Sequence, residues 1–258
     1  MHTVVERSSV AVTFDPPESV PRLAMIALSS DLTSERDAAR LIPRGAALHV
    51  ARVMNVNPAT PDNLARMAPQ LTDAAALLPE GVTLGAILYG CTAASVAIGD
   101  ETVVAHIRKA RPGVPVVTPV TAAVDAFAAL GVSRIAVMAP YVEETAASVV
   151  RWFGRHGLDI VSAQCLGVAD DRDIARLGGD TIIDAALAVD TADAEALFLS
   201  CTALPALGVI DELEERLDKP VVTSNQAGFW RLLRHGGLSP RPDAPGRLFA
   251  HELRERVA

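Results

Sequence analysis

Leu84-Gly85-Ala86-Ile87-Leu88-Tyr89-Gly90-Cys91-Thr92-Ala93-Ala94-Ser95 is an apolar run that ends abruptly in a small-residue turn holding a cysteine, and a helix-like segment follows. The chain does the same thing again. Glu195-Ala196-Leu197-Phe198-Leu199-Ser200-Cys201-Thr202-Ala203-Leu204 repeats the apolar run, the small residue before the cysteine and the Cys-Thr-Ala after it. A short apolar run bounded by a turn signal is the pattern of a strand buried on both faces. Downstream, Cys91 is followed by Pro115-Val116-Val117-Thr118 and Cys201 by Pro220-Val221-Val222-Thr223. Each half therefore reads strand, Cys-Thr-Ala turn, helix, Pro-Val-Val-Thr, and the ordered pair of matches points to an internal duplication.

Working outward, Leu23 to Leu28 reads as a first strand that ends in the polar turn Ser29-Ser30-Asp31-Leu32-Thr33-Ser34-Glu35, and a helix follows to about Ile42. A second strand is predicted near Ala47 to Val53, and Leu64, Met67, Leu71, Ala75 and Leu78 recur at helical spacing from Asp62. A helix from about Asp100 to Ala110 and a strand from Val114 to Thr118 follow, then a helix stopped by Gly131. The second half replays this order: strand Ser133 to Ala139, helix Glu143 to Phe153, strand Leu158 to Cys165, and a helical pattern from Asp170 to Val189 broken at Gly178-Gly179. A helix from about Val209 to Leu217 and the strand Val221 to Thr223 complete it. Strand–helix alternation with short connections implies parallel sheets and right-handed crossovers. The expected architecture is α/β: two pseudo-symmetric domains, each a parallel Rossmann-like sheet flanked by helices. Residues 1–19 read as a surface arm, 20–119 plus 225–258 as the first domain and 120–224 as the second. Ligands of such sheets sit at the carboxyl ends of strands, where both cysteines lie, so the cleft between the domains is the expected site.

Composition narrows the function. Half of the 258 residues are apolar and only 4% are aromatic, which suits Ala, Val, Leu and Ile layers. The net charge of −8 argues against a nucleic-acid partner. No apolar stretch reaches the ~18–20 residues that span a bilayer. Glu6, Arg7, Asp15 and Glu18 leave the first twenty residues without a signal-peptide core, so a cytoplasmic protein is expected. Three cysteines without CxxC spacing indicate neither a disulfide framework nor a zinc knuckle, and His49, His106, His156, His235 and His251 show no metal-ligand spacing. Phosphate-binding glycine motifs are absent.

A thiolate is a competent base and nucleophile, and a thiol a competent acid. A helix N-terminus after each cysteine would lower the thiol pKa from its usual ~8.5. One cysteine on either side of a planar carbanion can take a proton from one face and return it to the other, which is racemisation or epimerisation. A single thiolate can instead add to an activated double bond and allow rotation before elimination. The alternative for any cysteine is a small buried hydrophobe. That reading is preferred for Cys165, which sits in an apolar strand pattern with no turn motif after it.

The two Cys-Thr turns, with Ala27-Leu28-Ser29-Ser30-Asp31-Leu32-Thr33-Ser34-Glu35 and Val137-Met138-Ala139-Pro140-Tyr141, resemble the aspartate/glutamate racemase superfamily, and within it the maleate cis–trans isomerase family including its ectoine-utilisation relatives. The likeness spans nearly the whole chain beyond the arm. It implies a small carboxylate or amino-acid substrate, no metal or organic cofactor, and a homo-oligomer; no membrane partner is expected from the short apolar runs. Carried over by position, Cys91 and Cys201 would be the catalytic pair. Tyr141 would donate to a substrate carboxylate, while Thr92, Ala93, Thr202 and Ala203 would cradle carboxylate or enediolate oxygens. Ser30, Asp31 and Asp171 would complete the substrate site. Thr118 and Thr223 either add hydroxyls or cap helices.

Departures from the resemblance bear on the substrate. Maleate isomerases have asparagine at the positions of Asp31 and Asp171. An ionised aspartate only accepts hydrogen bonds, so it would favour a substrate ammonium or amide N–H over a plain dicarboxylate; capping by Asp31 is the alternative. Ala203 stands where glutamate racemases have histidine, which counts against glutamate racemisation. Arylmalonate decarboxylases typically keep only the second cysteine, so the presence of both counts against decarboxylation. A non-catalytic sensor of a small acid is the competing class.

Overall fold

The computed structural model describes residues 5–252; residues 1–4 of the expected arm and 253–258 of the expected first domain lie outside them. The first half contains β1 (Arg22–Leu28), α1 (Ser34–Leu41), β2 (Ala47–Val53), α2 (Pro61–Ala65), α3 (Gln70–Ala76), β3 (Ile87–Gly90), α4 (Thr92–Ile98), α5 (Asp100–Ala110) and β4 (Val116–Val117). After α6 (Pro119–Leu130) come β5 (Arg134–Ala139), α7 (Glu143–Arg155), β6 (Asp159–Cys165), α8 (Asp171–Ile174), α9 (Gly179–Val189), β7 (Ala196–Leu199), α10 (Ile210–Leu217), β8 (Val221–Thr223) and α11 (Ser224–His235). The strands form two parallel four-stranded sheets of matching order, β2-β1-β3-β4 and β6-β5-β7-β8. The central strands are buried along their length, as continuous runs such as Leu-Ala-Met-Ile-Ala-Leu require when helices cover both faces.

Aromatic packing is concentrated in the second half. Phe198 of β7 makes edge-on contacts with Phe127 at 6.0 Å and Phe153 at 5.0 Å between ring centroids, the arrangement that ring quadrupoles favour. Helix α11 leaves β8 and packs on α6 and on β3 of the first sheet. The approach to β3 is close: a Cβ at Gly228 would meet Leu88 Cδ1 at 3.1 Å. Residues 5–16 are exposed and lie outside both sheets.

Several elements differ from expectation. The helical spacing after Asp62 is carried by two short helices, because Pro69 has no N–H to donate and sits at the start of α3. After Cys91 the expected helical segment is α4 and the helix expected from Asp100 to Ala110 is α5, with Gly99 at φ 91° between them. The strand expected from Val114 is only two residues long. No helix starts at the Cys201 turn; a short 3₁₀ turn at Ala206–Val209 precedes α10. Cys165 packs against the edge of the core without being fully buried. It is half-buried on the edge strand β6 and lines a surface groove against α7.

Candidate active site

In each sheet the chain leaves the second strand in the order, β1 or β5, toward one neighbour and later returns on its other side. The carboxyl ends of β1/β3 and of β5/β7 are thus switch points where a crevice opens. Ser30 and Asp31 follow β1, Cys91 to Ala93 follow β3, Tyr141 follows β5, Cys201 to Ala203 follow β7, and Asp171 begins α8. All ten residues expected from the sequence line one narrow pocket, and Leu28, Ala59 and Leu64 supply its remaining wall.

Cys91 is the N-cap of α4, in extended backbone, with Sγ accepting from the Ala94 N–H at 3.4 Å. Such donors favour a thiolate, yet burial outweighs them and raises the thiol pKa, with the Asp171 carboxyl adding to the rise. The Cys201 thiol is also raised, first by burial and then by Asp171 and Cys91. The expectation that helix N-termini depress both thiols is therefore corrected. Burial in this pocket thus favours the protonated thiol at both positions, and Cys201 has no helix N-terminus of its own.

Asp31 serves as a cap and faces the pocket. Its Oδ1 accepts from the Thr33 and Ser34 N–H groups at 2.8 and 2.9 Å, while Oδ2 is buried with no partner among the described residues. Asp171 Oδ2 accepts from Ser30 Oγ at 2.9 Å and from Asn55 Nδ2 at 3.1 Å. Burial raises the Asp171 pKa, and the Ser30 hydroxyl opposes that rise. Tyr141 is buried, its Oη 3.2 Å from Ser200 Oγ, and burial, with Cys201 next, raises its pKa.

Three polar residues at the site escape a sequence reading. Asn55, in the turn after β2, donates to Ser30 Oγ as well as Asp171 and accepts from the Ser30 N–H; its place at a strand's carboxyl end was the available signal. Ser224 and Asn225 open α11 behind both cysteine turns and carry no motif. Thr118 and Thr223 do not line the pocket: Thr223 caps α11 through the Gln226 N–H at 3.1 Å, and Thr118 bonds Asp100 and Thr121.

The family pattern described as arylmalonate decarboxylase matches residues 51–249. The arylmalonate decarboxylase of Bordetella bronchiseptica is 29% identical over 237 residues, covering 90% of this chain and 97% of that protein. The maleate isomerase of Nocardia farcinica is 26% identical over 249 residues, covering 90% and 97%. The solved structure of a cysteine-to-serine mutant of the Nocardia farcinica enzyme, with a covalently bound succinylcysteine intermediate, has a TM-score of 0.79 at 24% identity, covering 89% of this chain and 98% of that one. In sequence and fold, this chain belongs to the arylmalonate decarboxylase/maleate isomerase family of cofactor-independent enzymes, within the aspartate/glutamate racemase-like superfamily.

Proposed function

We infer that this enzyme is a cofactor-independent isomerase that uses Cys91 and Cys201 on a small substrate bearing both a carboxylate and a cationic or N–H-bearing nitrogen. The observation that carries this reading is the pocket itself: two buried thiols from equivalent strand ends, beside the unpartnered Oδ2 of Asp31. One cysteine, as thiolate, removes the Cα proton. The electron pair moves into the substrate carboxylate as an enediolate, and the opposing thiol returns a proton to the other face. The N–H groups of the Cys91 and Cys201 turns and the Tyr141 hydroxyl hold the oxygens on which charge develops.

Asp31 and Asp171 decide the substrate class. Two donors on Asp171 Oδ2 suit an ionised acceptor. A dicarboxylate such as maleate would place like charges against both aspartates. An ammonium between them would instead cancel the negative charge that helps to hold both thiols protonated, so substrate binding itself would favour thiolate formation. An α-amino acid or N-substituted diamino acid, of the kind ectoine breakdown yields, has this chemistry. The same reading takes the protein as a cytoplasmic homo-oligomer, with 20–119 plus 225–258 and 120–224 as the two walls of the cleft.

Covalent addition is the second route, supported by the succinylcysteine of the Nocardia farcinica enzyme. Incubation of candidate substrates in D2O, followed by NMR and polarimetry, separates the routes. Deuterium at Cα with loss of optical activity is the expected result. Geometric isomerisation of an unsaturated diacid would move the assignment to the covalent route, and carbon dioxide release from a malonate would move it to decarboxylation. Efficient maleate turnover with amino acids ignored would overturn the nitrogen-bearing substrate.

A further inference from the structure

Cys201 has a φ of 96°, a region that a side chain with Cβ enters only when its surroundings compel it. Its own segment supplies little to compel it, since no regular helix begins there. The restraint comes from elsewhere. The Cys201 N–H donates to Ser224 Oγ at 3.0 Å, and the same oxygen accepts from Thr92 Oγ1 at 2.8 Å. One fully buried hydroxyl thus touches both cysteine turns. Around it, Asn225 Nδ2 donates to Thr202 O at 2.9 Å and to Asp37 Oδ2 at 2.8 Å, and Thr33 Oγ1 donates to Ala203 O at 2.7 Å. Thr202 Oγ1 reaches across to Gly90 O at 2.9 Å.

We propose that Ser224 is a positioning residue: its hydroxyl holds Cys201 in the strained backbone and sets that turn in register with the Cys91 turn. A buried N–H left unpaired costs free energy, so the Cys201 N–H needs the Ser224 acceptor. Ser224 Oγ fixes the peptide plane before Cys201, while Asn225, Thr33 and Gly90 fix the Thr202 and Ala203 groups after it, so the φ between these anchors stays positive while both sides hold. Without it, the turn is free to relax toward an ordinary backbone, and Cys201 Sγ leaves its place opposite Cys91. Cys91 is held differently, by the first turn of α4, so losing the hydroxyl should disturb the two thiols unequally.

Ser224→Ala and Ser224→Thr test this with two readouts. The first needs no substrate: alkylation of each cysteine by iodoacetamide, read by peptide mass spectrometry, with half-buried Cys165 as internal reference. S224A is expected to change the Cys201 rate at least about fivefold and the Cys91 rate less than about twofold, and S224T to restore the parent pattern. The second readout rests on the isomerase reading above: kcat should fall about tenfold or more in S224A with KM within about threefold. Equal changes at Cys91 and Cys201, or an unchanged Cys201 rate, would overturn the proposal whatever the substrate. An altered Cys201 rate with unaltered kcat would uphold the positioning and count against the isomerase reading instead. Should S224A fail to fold, Ser224→Cys, a weaker acceptor of similar size, takes its place under the same criteria.

Discussion

The two cysteine turns come from matching sequence and are held in different ways. Cys91 follows β3, caps α4 and has its sulfur against that helix's own N–H groups. Cys201 follows β7 through Ser200, adopts positive φ and draws its restraint from α11 and from the segment after β1. A duplicated sequence has thus given one locally built thiol and one built by tertiary contacts. Opposed proton transfer needs such asymmetry only in position, because each cysteine must be able to act as acid or base according to direction.

The test with the largest expected effect asks whether chemistry uses both turns. Cys91→Ser and Cys201→Ser should each lower turnover by about 10³-fold, within the range general acid–base groups supply, because a serine hydroxyl is far too weak an acid to replace a thiol. Steady-state rates on the substrate identified by deuterium exchange would show it. If C91S keeps nearly full rate while C201S loses it, the chemistry is single-cysteine, and the decarboxylase-like reading displaces the two-base one.

The difference between the turns also explains what could be read from sequence. Continuous apolar runs such as Leu23–Leu28 and Ala196–Leu199 reveal buried parallel strands, and strand ends locate Cys91 and Cys201; Ser30, Asp31 and Tyr141, which line the same pocket, came from the family resemblance. Local chemistry is legible too, as Gly131 stops α6 where expected. Ser224 and Asn225 were not legible. Their partners Thr92 and Asp37 are 132 and 188 residues away in the chain, and no local pattern reports such a pairing. The upward shift of both thiols was not legible either, since it comes from burial in the folded pocket, which at Cys91 outweighs the helix N-terminus that sequence displays.

Next in size is the charge facing the pocket. Asp31→Asn keeps an oxygen to cap Thr33 and Ser34 and replaces the unpartnered Oδ2 with a donor. The expected outcome is about a 10- to 100-fold loss of kcat/KM on an amino-acid substrate together with a gain toward dicarboxylates, the scale of one charged hydrogen bond in a buried site. Equal losses on both substrate classes would mean that Asp31 acts as a cap alone. A smaller effect concerns pH. Because both thiols are raised, their alkylation should be slow at pH 7 and climb about tenfold per pH unit, in step with the thiolate fraction. Asp171→Asn removes the second-largest cause on each and should speed both, moving the rise to lower pH. A rate that levels off near pH 7 in the parent enzyme would show that the pocket does not hold the thiols protonated.

The smallest expected effect isolates backbone strain. Cys91→Gly and Cys201→Gly remove the same side chain from similarly buried positions, 7% and 6% exposed, so the lost burial is nearly equal. They differ in φ, which is −152° at Cys91 and 96° at Cys201. Glycine loosens the unfolded chain at both positions, but at Cys201 it relieves the left-handed penalty, of about 1–2 kcal/mol, whereas at Cys91 it relieves none and loses the weak sulfur cap on the Ala94 N–H. C201G should therefore be more stable than C91G by about 1 kcal/mol in urea unfolding, with equal m-values. Equal stabilities would mean that the Cys201 turn is unstrained. The contacts from Ser224 and Thr33 would then accompany its conformation without enforcing it.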